Sequence, residues 1–287
     1  LGCGLLGVAA LAWVPSPATA HAIAGQRLFP STLSFDDPGI GAELPFVYSH
    51  TPTTGGSENG FDLSVTKPIT PRFSLSVGTG YEIDPQDHGP SVHGWNNVSV
   101  GGAWQAFVVP QTESIGKLSF SDTVGQTGSR STRDDFSTFS TEFDFGQGMG
   151  WLPWAALRPA AVTGAVGFDW PDDPAAPRLM EWDVSLQYSI PYLQDFVKNV
   201  GIPAPFNNMI ALVEIPMASC VGHCSGTRTL GDVDPGAIWI GHYVQAGLEL
   251  QLPVNSASGD GVGVLFGLDI YLDDVFPHGF GAPIFGL

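Results

Sequence analysis

Residues 180–190, MEWDVSLQYSI, interleave two sets of side chains. Met180, Trp182, Val184, Leu186, Tyr188 and Ile190 form one set; Glu181, Asp183, Ser185, Gln187 and Ser189 form the other. A strand sends alternate side chains to opposite faces, so one face here is apolar and the other polar and acidic. The same period recurs along the chain. In 73–84, Phe73, Leu75, Val77, Tyr81 and Ile83 alternate with Ser, Gly and acids, and 136–145 sets Phe139, Phe143 and Phe145 against Ser140, Glu142 and Asp144. Residues 238–252 and 264–273 alternate in the same way, and weaker versions occupy 43–49, 60–67, 94–109, 115–125, 157–169 and 206–217. Together these make eleven candidate strands, with only 191–200 suggesting a short helix.

Three features decide whether the apolar faces meet a protein core or lipid. Several segments run ten residues or more, the length a tilted strand needs to cross a bilayer, whereas sandwich strands are usually ~5–6 residues. The polar faces carry Gly, Ser, Gln and acids but almost no Lys, the residue that water-facing edges favour. Aromatics gather near strand ends, at Trp95, Trp104, Trp151, Trp154, Trp170, Trp182, Tyr188 and Tyr192, as in interfacial girdles. No stretch approaches the ~18 consecutive apolar residues of a membrane helix. The expected fold is all-β: a transmembrane antiparallel up-and-down β-barrel of about 12 strands, with about 10 as the alternative. A soluble secreted β-sandwich is the competing class.

Residues 4–14, GLLGVAALAWV, are apolar but too short to span as a helix, and PSPATAHA follows with small residues suited to cleavage after Ala20 or Ala22. Residues 1–20 therefore read as a signal peptide, 21–42 as a periplasmic or plug segment, and 43–287 as the barrel. Cys3 precedes the apolar run, which is not the lipoprotein layout. HTPTTGGSENG, PQDHGPSVHG, QTGSRSTRDD and ASCVGHCSGTRTLGDVDPG read as long loops, and PITP, PQTE and NSASGDG as short turns. GQGMGWLPWA and PYLQDFVKNVGIPAP break this alternation of long loops and short turns. Bacterial barrels have even strand counts, so a twelfth strand is assigned to the C-terminal GFGAPIFGL, although Pro283 weakens it.

The segments RLFPSTLSFDDPGIGAEL, GWNNVSVGGAWQ, LRPAAVTGAVGF, LQYSIPYLQDFVK, PGAIWIGHYVQAGLELQLPVN and LDDVFPHGFGAPIF resemble a family of exported proteobacterial outer-membrane, transporter-like β-barrels. More distantly the chain resembles the outer-membrane barrels of aromatic-degradation pathways. The resemblance spans about 23–287 and consists of structural punctuation, so it implies a fold and a location but no catalytic residue. CVGHC departs from the family pattern.

The chain has Lys+Arg 10 against Asp+Glu 28, a net charge of −18, which argues against nucleic acid and permits cation passage. With lipid outside, Glu82, Asp84, Glu142, Asp144, Glu181, Asp183, Glu214, Glu249, Asp269 and Asp273 project into the lumen with few basic partners. The functional expectation is a porin or transporter-like barrel of the bacterial outer membrane, passing small solutes or cations through an acidic lumen. Its expected partners are outer-membrane lipid, those solutes and the barrel-assembly machinery, with no cofactor. The alternatives are a barrel enzyme acting on lipids, which needs a Ser/His/acid cluster not readable here, and a secreted sandwich that binds a ligand.

Cys220 and Cys224 read as a disulfide in an oxidising compartment; a metal reading with His223 would need Asp232 or Asp234 as further ligands. His21 could chelate copper only if cleavage follows Ala20. His50, His88, His93 and His242 show no ligand spacing, and DDP (36–38, 172–174) and GDVDPG (231–236) read as turns.

Overall fold

The computed structural model describes residues 22–286 apart from 54–55, 87–88, 227 and 260. The expected signal peptide, Cys3, His21 and His88 lie outside the described residues. The wall is one antiparallel sheet in which each strand pairs with its neighbours in sequence. Its members are β3 (Glu43–Thr53), β4 (Gly56–Thr70), β5 (Phe73–Asp84), β6 (Val92–Trp95), β7 (Val98–Val109), β8 (Ser114–Val124) and β9 (Thr138–Gly148). They continue through β10 (Ala160–Pro171), β11 (Arg178–Ser189), β12 (Met209–Gly222), β13 (Thr229–Ile240), β14 (Val244–Pro253) and β15 (Gly263–Tyr271). β15 pairs back onto β3, from Val264↔His50 to Tyr271↔Glu43, so the sheet closes. β6 and β7 both pair with β5 and make one wall strand, with a one-residue register slip at Asn96–Asn97. The result is a closed barrel of 12 strands.

Closure satisfies the backbone, because a lipid-exposed sheet edge would leave N–H and C=O groups unpaired in hydrocarbon. The alternating faces follow. Ser74, Gln105, Lys117, Asp144, Thr163, Ser185 and Gln187 are buried inside, while Leu75, Val100, Leu118, Phe120, Phe168, Leu186, Leu248 and Phe266 are exposed outside. A continuous apolar belt of this kind is unfavourable in water and favourable in a bilayer. Trp95, Trp104, Trp151, Trp154 and Trp170 are also exposed, as a girdle requires, but Tyr192 is not: it is 6% exposed, folded beneath the barrel.

The twelfth strand lies elsewhere than expected. It is β13, which the sequence presents as part of an outer loop because Pro235 and GDVDPG resemble a turn. Pro235 is tolerated because the β13–β14 ladder skips from Val233↔Leu252 to Gly236↔Glu249, so no N–H is needed there. Residues 238–252 are accordingly two strands joined by the turn 241–243, and the apolar phase switches across it: Ile238 points inward, Leu248 outward. NSASGDG then falls on the rim with the long loops. HTPTTGGSENG is mostly strand, since β3 runs to Thr53 and β4 starts at Gly56. The described residues of the C-terminal tail form no strand; Phe285 N–H donates to Ile69 O at 2.8 Å, and Lys67 Nζ donates to the carbonyls of Phe280 and Ala282.

Residues 22–42 fill the barrel from the rim at which β3 begins and β15 ends. β1 (Ala22–Ala24) and β2 (Arg27–Phe29) form a hairpin whose Ala22, Ala24 and Phe29 pack on Ile115 and Ala161 of the inner wall. Gly146 leaves the space that the Phe29 ring fills; a Cβ there would lie 2.8 Å from it. Farther along, Leu33 is buried with Leu212, Ile238 and Leu265, beside Gly247 and Gly267. The hairpin turn needs glycine: Gly25 has φ +65, and a Cβ would sit 2.4 Å from Pro110 O. Gly25→Val should therefore unseat the hairpin but not the wall. In detergent micelles, trypsin should cleave after Arg27 in this variant and not in the parent, with heat-modifiable migration retained in both. Equal protection of the variant would contradict this seating.

Candidate functional site

The lumen is built by the inward positions of the strands and by the segment that fills its lower part. At the base, Arg27 is 1% exposed; its guanidinium donates to Pro159 O at 2.8 Å, to Arg158 O, and to Glu113 at 3.4 Å. It also lies 3.8 Å over the Tyr192 ring. Glu113 accepts in addition from Tyr192 Oη at 2.7 Å and from Gly150 N–H at 3.0 Å. Burial lowers the Arg27 pKa, opposed by Glu113, and burial with the Glu113 hydrogen bond pushes Tyr192 up to about 12. Breaking such a buried pair by removing one partner is strongly destabilising, so this network fixes the floor.

Above the floor the segment is latched to opposite walls. Gln245 donates to Ser31 O at 2.8 Å, and Thr32 Oγ1 donates to Glu214. Lys117 Nζ lies 2.6 Å from Asp36 and 3.7 Å from Asp144, and Gln105 donates to Pro38 O at 2.9 Å. The return path is held by Asp273 Oδ1, which accepts from Ala42 N–H at 2.8 Å. DDP at 36–38 is thus more than a turn: Asp36 is the partner of the lumen lysine.

The apex, Ser34–Asp36, stands in the middle of the barrel with three cavities around it, of about 340, 360 and 470 Å³. The first is lined by hydroxyls, among them Ser74, Ser76, Ser119, Ser140 and Thr141, together with Asp36, Glu142, Asp169, Glu181 and Lys117. The second carries Glu142, Glu181, Asp183 and Asp232, and the third Asp36 and Asp62. Glu142 and Glu181 face each other across Gly167, to which both are registered.

The sequence-derived acids fall into groups. Asp144, Asp183, Glu214, Glu249 and Asp269 are buried inward positions of the wall, each with at least one carboxylate oxygen lacking a hydrogen-bond partner among the described residues. Glu142 and Glu181 line the upper lumen. Glu82 is inward nearer the far rim; Asp84 ends its strand there and accepts from Gln86 at 2.9 Å. Asp273 is misplaced in the expectation: it lies past the last strand, in the short helix Leu272–Val275, and holds Ala42 instead of facing the lumen. Cys220 and Cys224 form a disulfide with Cα atoms 5.7 Å apart. Asp232 and Asp234, considered as loop ligands beside those cysteines, are in β13, where Asp234 is fully buried inside. Sequence reading missed Lys117 and Asp36, and it missed Asp234 as a lumen acid. The period-two series Asp232, Asp234, Gly236, Ile238 was the signal for the last; nothing local marks the pairing of Lys117 with Asp36.

No family model and no curated protein matches the chain. In fold it is similar to an outer-membrane channel from Pseudomonas putida F1, with TM-score 0.54 and 11% identity over 85% of this chain and 99% of that one. The fold is that of an outer-membrane β-barrel. The NanC porin (TM-score 0.48, 8% identity, 80% of this chain and 98% of that one) is also similar. So is the KdgM porin, solved in complex with disordered oligogalacturonate (TM-score 0.45, 7% identity, 79% and 98%).

In this outer-membrane barrel the filling segment is pH-sensitive. Burial, with Asp36 adding to it, raises Asp37 to about 7, and burial raises Asp273 to about 7. Both lie above the unfolded carboxyl value of ~3.9. The folded state therefore binds more protons between these limits, and its stability falls as pH rises from about 4 to 7. Urea midpoints measured in micelles should be higher at pH 5 than at pH 8. Asp37→Asn keeps the acceptor for Gly39 N–H, now at 2.7 Å, and should reduce that difference. An unchanged difference would remove Asp37 from the account.

Proposed function

We propose that the protein is a porin-like channel for small cations in the bacterial outer membrane, with a lumen narrowed by residues 22–42. The observation that carries this reading is the charge of the inner wall. Of the ten basic residues, Lys117 alone projects into the lumen from a wall strand, and it is paired, while Glu142, Asp144, Glu181, Asp183, Glu214, Asp234, Glu249 and Asp269 project there as acids. Low-dielectric walls lined by one sign concentrate ions of the other. The hydroxyls of the about 340 Å³ cavity supply replacement ligands for a solute shedding water.

The reading contains no catalytic step: the lining carboxylates and hydroxyls serve passage, and His50 is engaged with Asn59 at 2.9 Å. Outer-membrane lipid covers the apolar belt, and closing such a wall in a membrane calls on the barrel-assembly machinery. The resemblance to barrels of aromatic-degradation pathways adds small aromatic solutes to the candidates; an acidic lumen favours cationic ones among them.

Planar-bilayer recording across a KCl gradient tests the reading. The reversal potential should show K⁺ preference, and Glu142→Gln with Glu181→Gln should reduce it. Deleting 22–42 should raise conductance several-fold. Anion preference, or no current from either the full chain or the deletion, would overturn the channel reading.

A further inference from the structure

The cavity of about 360 Å³ between the apex and the inner faces of β10–β14 has two unlike sides. The wall side carries Asp183, Glu181, Glu142 and Asp232, with Ala218 cross-strand from Glu181 and Leu230 cross-strand from Ala218; the apex side presents Phe35. Asp183 is 6% exposed, and among the described residues neither of its carboxylate oxygens has a well-formed hydrogen bond, although the Ile215 backbone N–H lies near it. Behind it, Glu214, Asp234 and Glu249 are fully buried and carry further unpartnered oxygens. The one lumen lysine cannot help: Lys117 is committed to Asp36 and Asp144 and lines the neighbouring cavity.

A buried carboxylate without a countercharge is costly, so what is missing at Asp183 is positive charge and the donors that come with it. A directly coordinated metal does not suit the spacing, because among the described residues no three acidic, histidine or cysteine side chains converge closely enough to hold one. An ammonium group does suit it: a compact charge with three donors, satisfied by carboxylates on one side only. Phe35, Ala218 and Leu230 ask for a hydrocarbon or aromatic body attached to that charge. The volume is at the small end of ligand pockets, which usually span roughly 300–1,000 Å³.

We propose that this cavity binds a small organic cation, a primary amine with a compact apolar body, its ammonium on Asp183 and its body against Phe35 and Leu230. The proposal rests on the cation-channel reading and gives it a substrate class. Ammonium ion alone meets the acids but leaves the apolar residues uncovered; a neutral or anionic analogue covers them but leaves Asp183 unpaired or opposed. Discrimination against the neutral isostere is therefore expected to be the larger, since it leaves a buried polar group unmatched.

Titration calorimetry on the full chain in detergent micelles at neutral pH tests this, with benzylammonium chloride as probe and benzyl alcohol and ammonium chloride as the two halves. Benzylammonium should bind at least tenfold more tightly than either, and Asp183→Asn should weaken it at least tenfold while keeping heat-modifiable migration. Phe35→Ala lies outside the wall and tests the apolar half should Asp183→Asn fail to fold; it should weaken benzylammonium several-fold. Equal binding of benzyl alcohol, or binding unaffected by both substitutions, would overturn the site. K⁺ preference in bilayers without benzylammonium binding would sink the site and leave the channel standing. Binding without current in the full chain or the 22–42 deletion would leave the site and sink the channel.

Discussion

Everything in this molecule follows from one requirement: no backbone N–H or C=O of the wall can be left unpaired in hydrocarbon. The pairing of β15 with β3 meets it by removing both edges of the sheet. Once the sheet is closed, pleating forces half of each strand's side chains inward, and a ring of 12 strands encloses more space than those side chains fill. Residues 22–42 take up part of the surplus. Their hairpin fills the space that Gly146 leaves and Leu33 the space beside Gly247 and Gly267, and their apex leaves the upper lumen as separate polar cavities.

The wall and its filling divide the electrostatics between them. The floor is neutral, with Arg27 set against Glu113 and shielded by Tyr192. The middle is acidic, with one lysine spread over two carboxylates. A protein core would not accumulate buried acids in this way, because each would have to be paired or neutralised. A lumen that ions or cationic solutes enter tolerates them, since the compensation arrives with the cargo.

The fold was legible where a strand kept its alternation and obscure where proline or a tight turn interrupted it. MEWDVSLQYSI reads correctly from eleven letters: Asp183 and Ser185 are buried inside, Leu186 is exposed outside. VDPGAIWI does not, because a ladder gap that accommodates Pro235 has the same local chemistry as a turn. The turn 241–243 is invisible for the opposite reason: apolar residues continue across it, and only the switch of phase from Ile238 to Leu248 betrays it. The acids on strands were legible as a face. What they face was not, since the contacts of Asp36 with Lys117 and of Thr32 with Glu214 join positions 81 and 182 residues apart.

The seam of the barrel and the root of its filling are the same place. Ala42, the last residue before β3, donates its N–H to Asp273 and accepts from Leu272 N–H, the residue that follows β15. The first and last wall strands are therefore clasped by the hinge of the inner segment. Mechanically the two are in series: a pull that draws residues 22–42 out of the lumen loads the joint that keeps the cylinder shut. Withdrawal of the whole segment carries a risk to the container, whereas rearrangement confined to Ser34–Asp36 carries none.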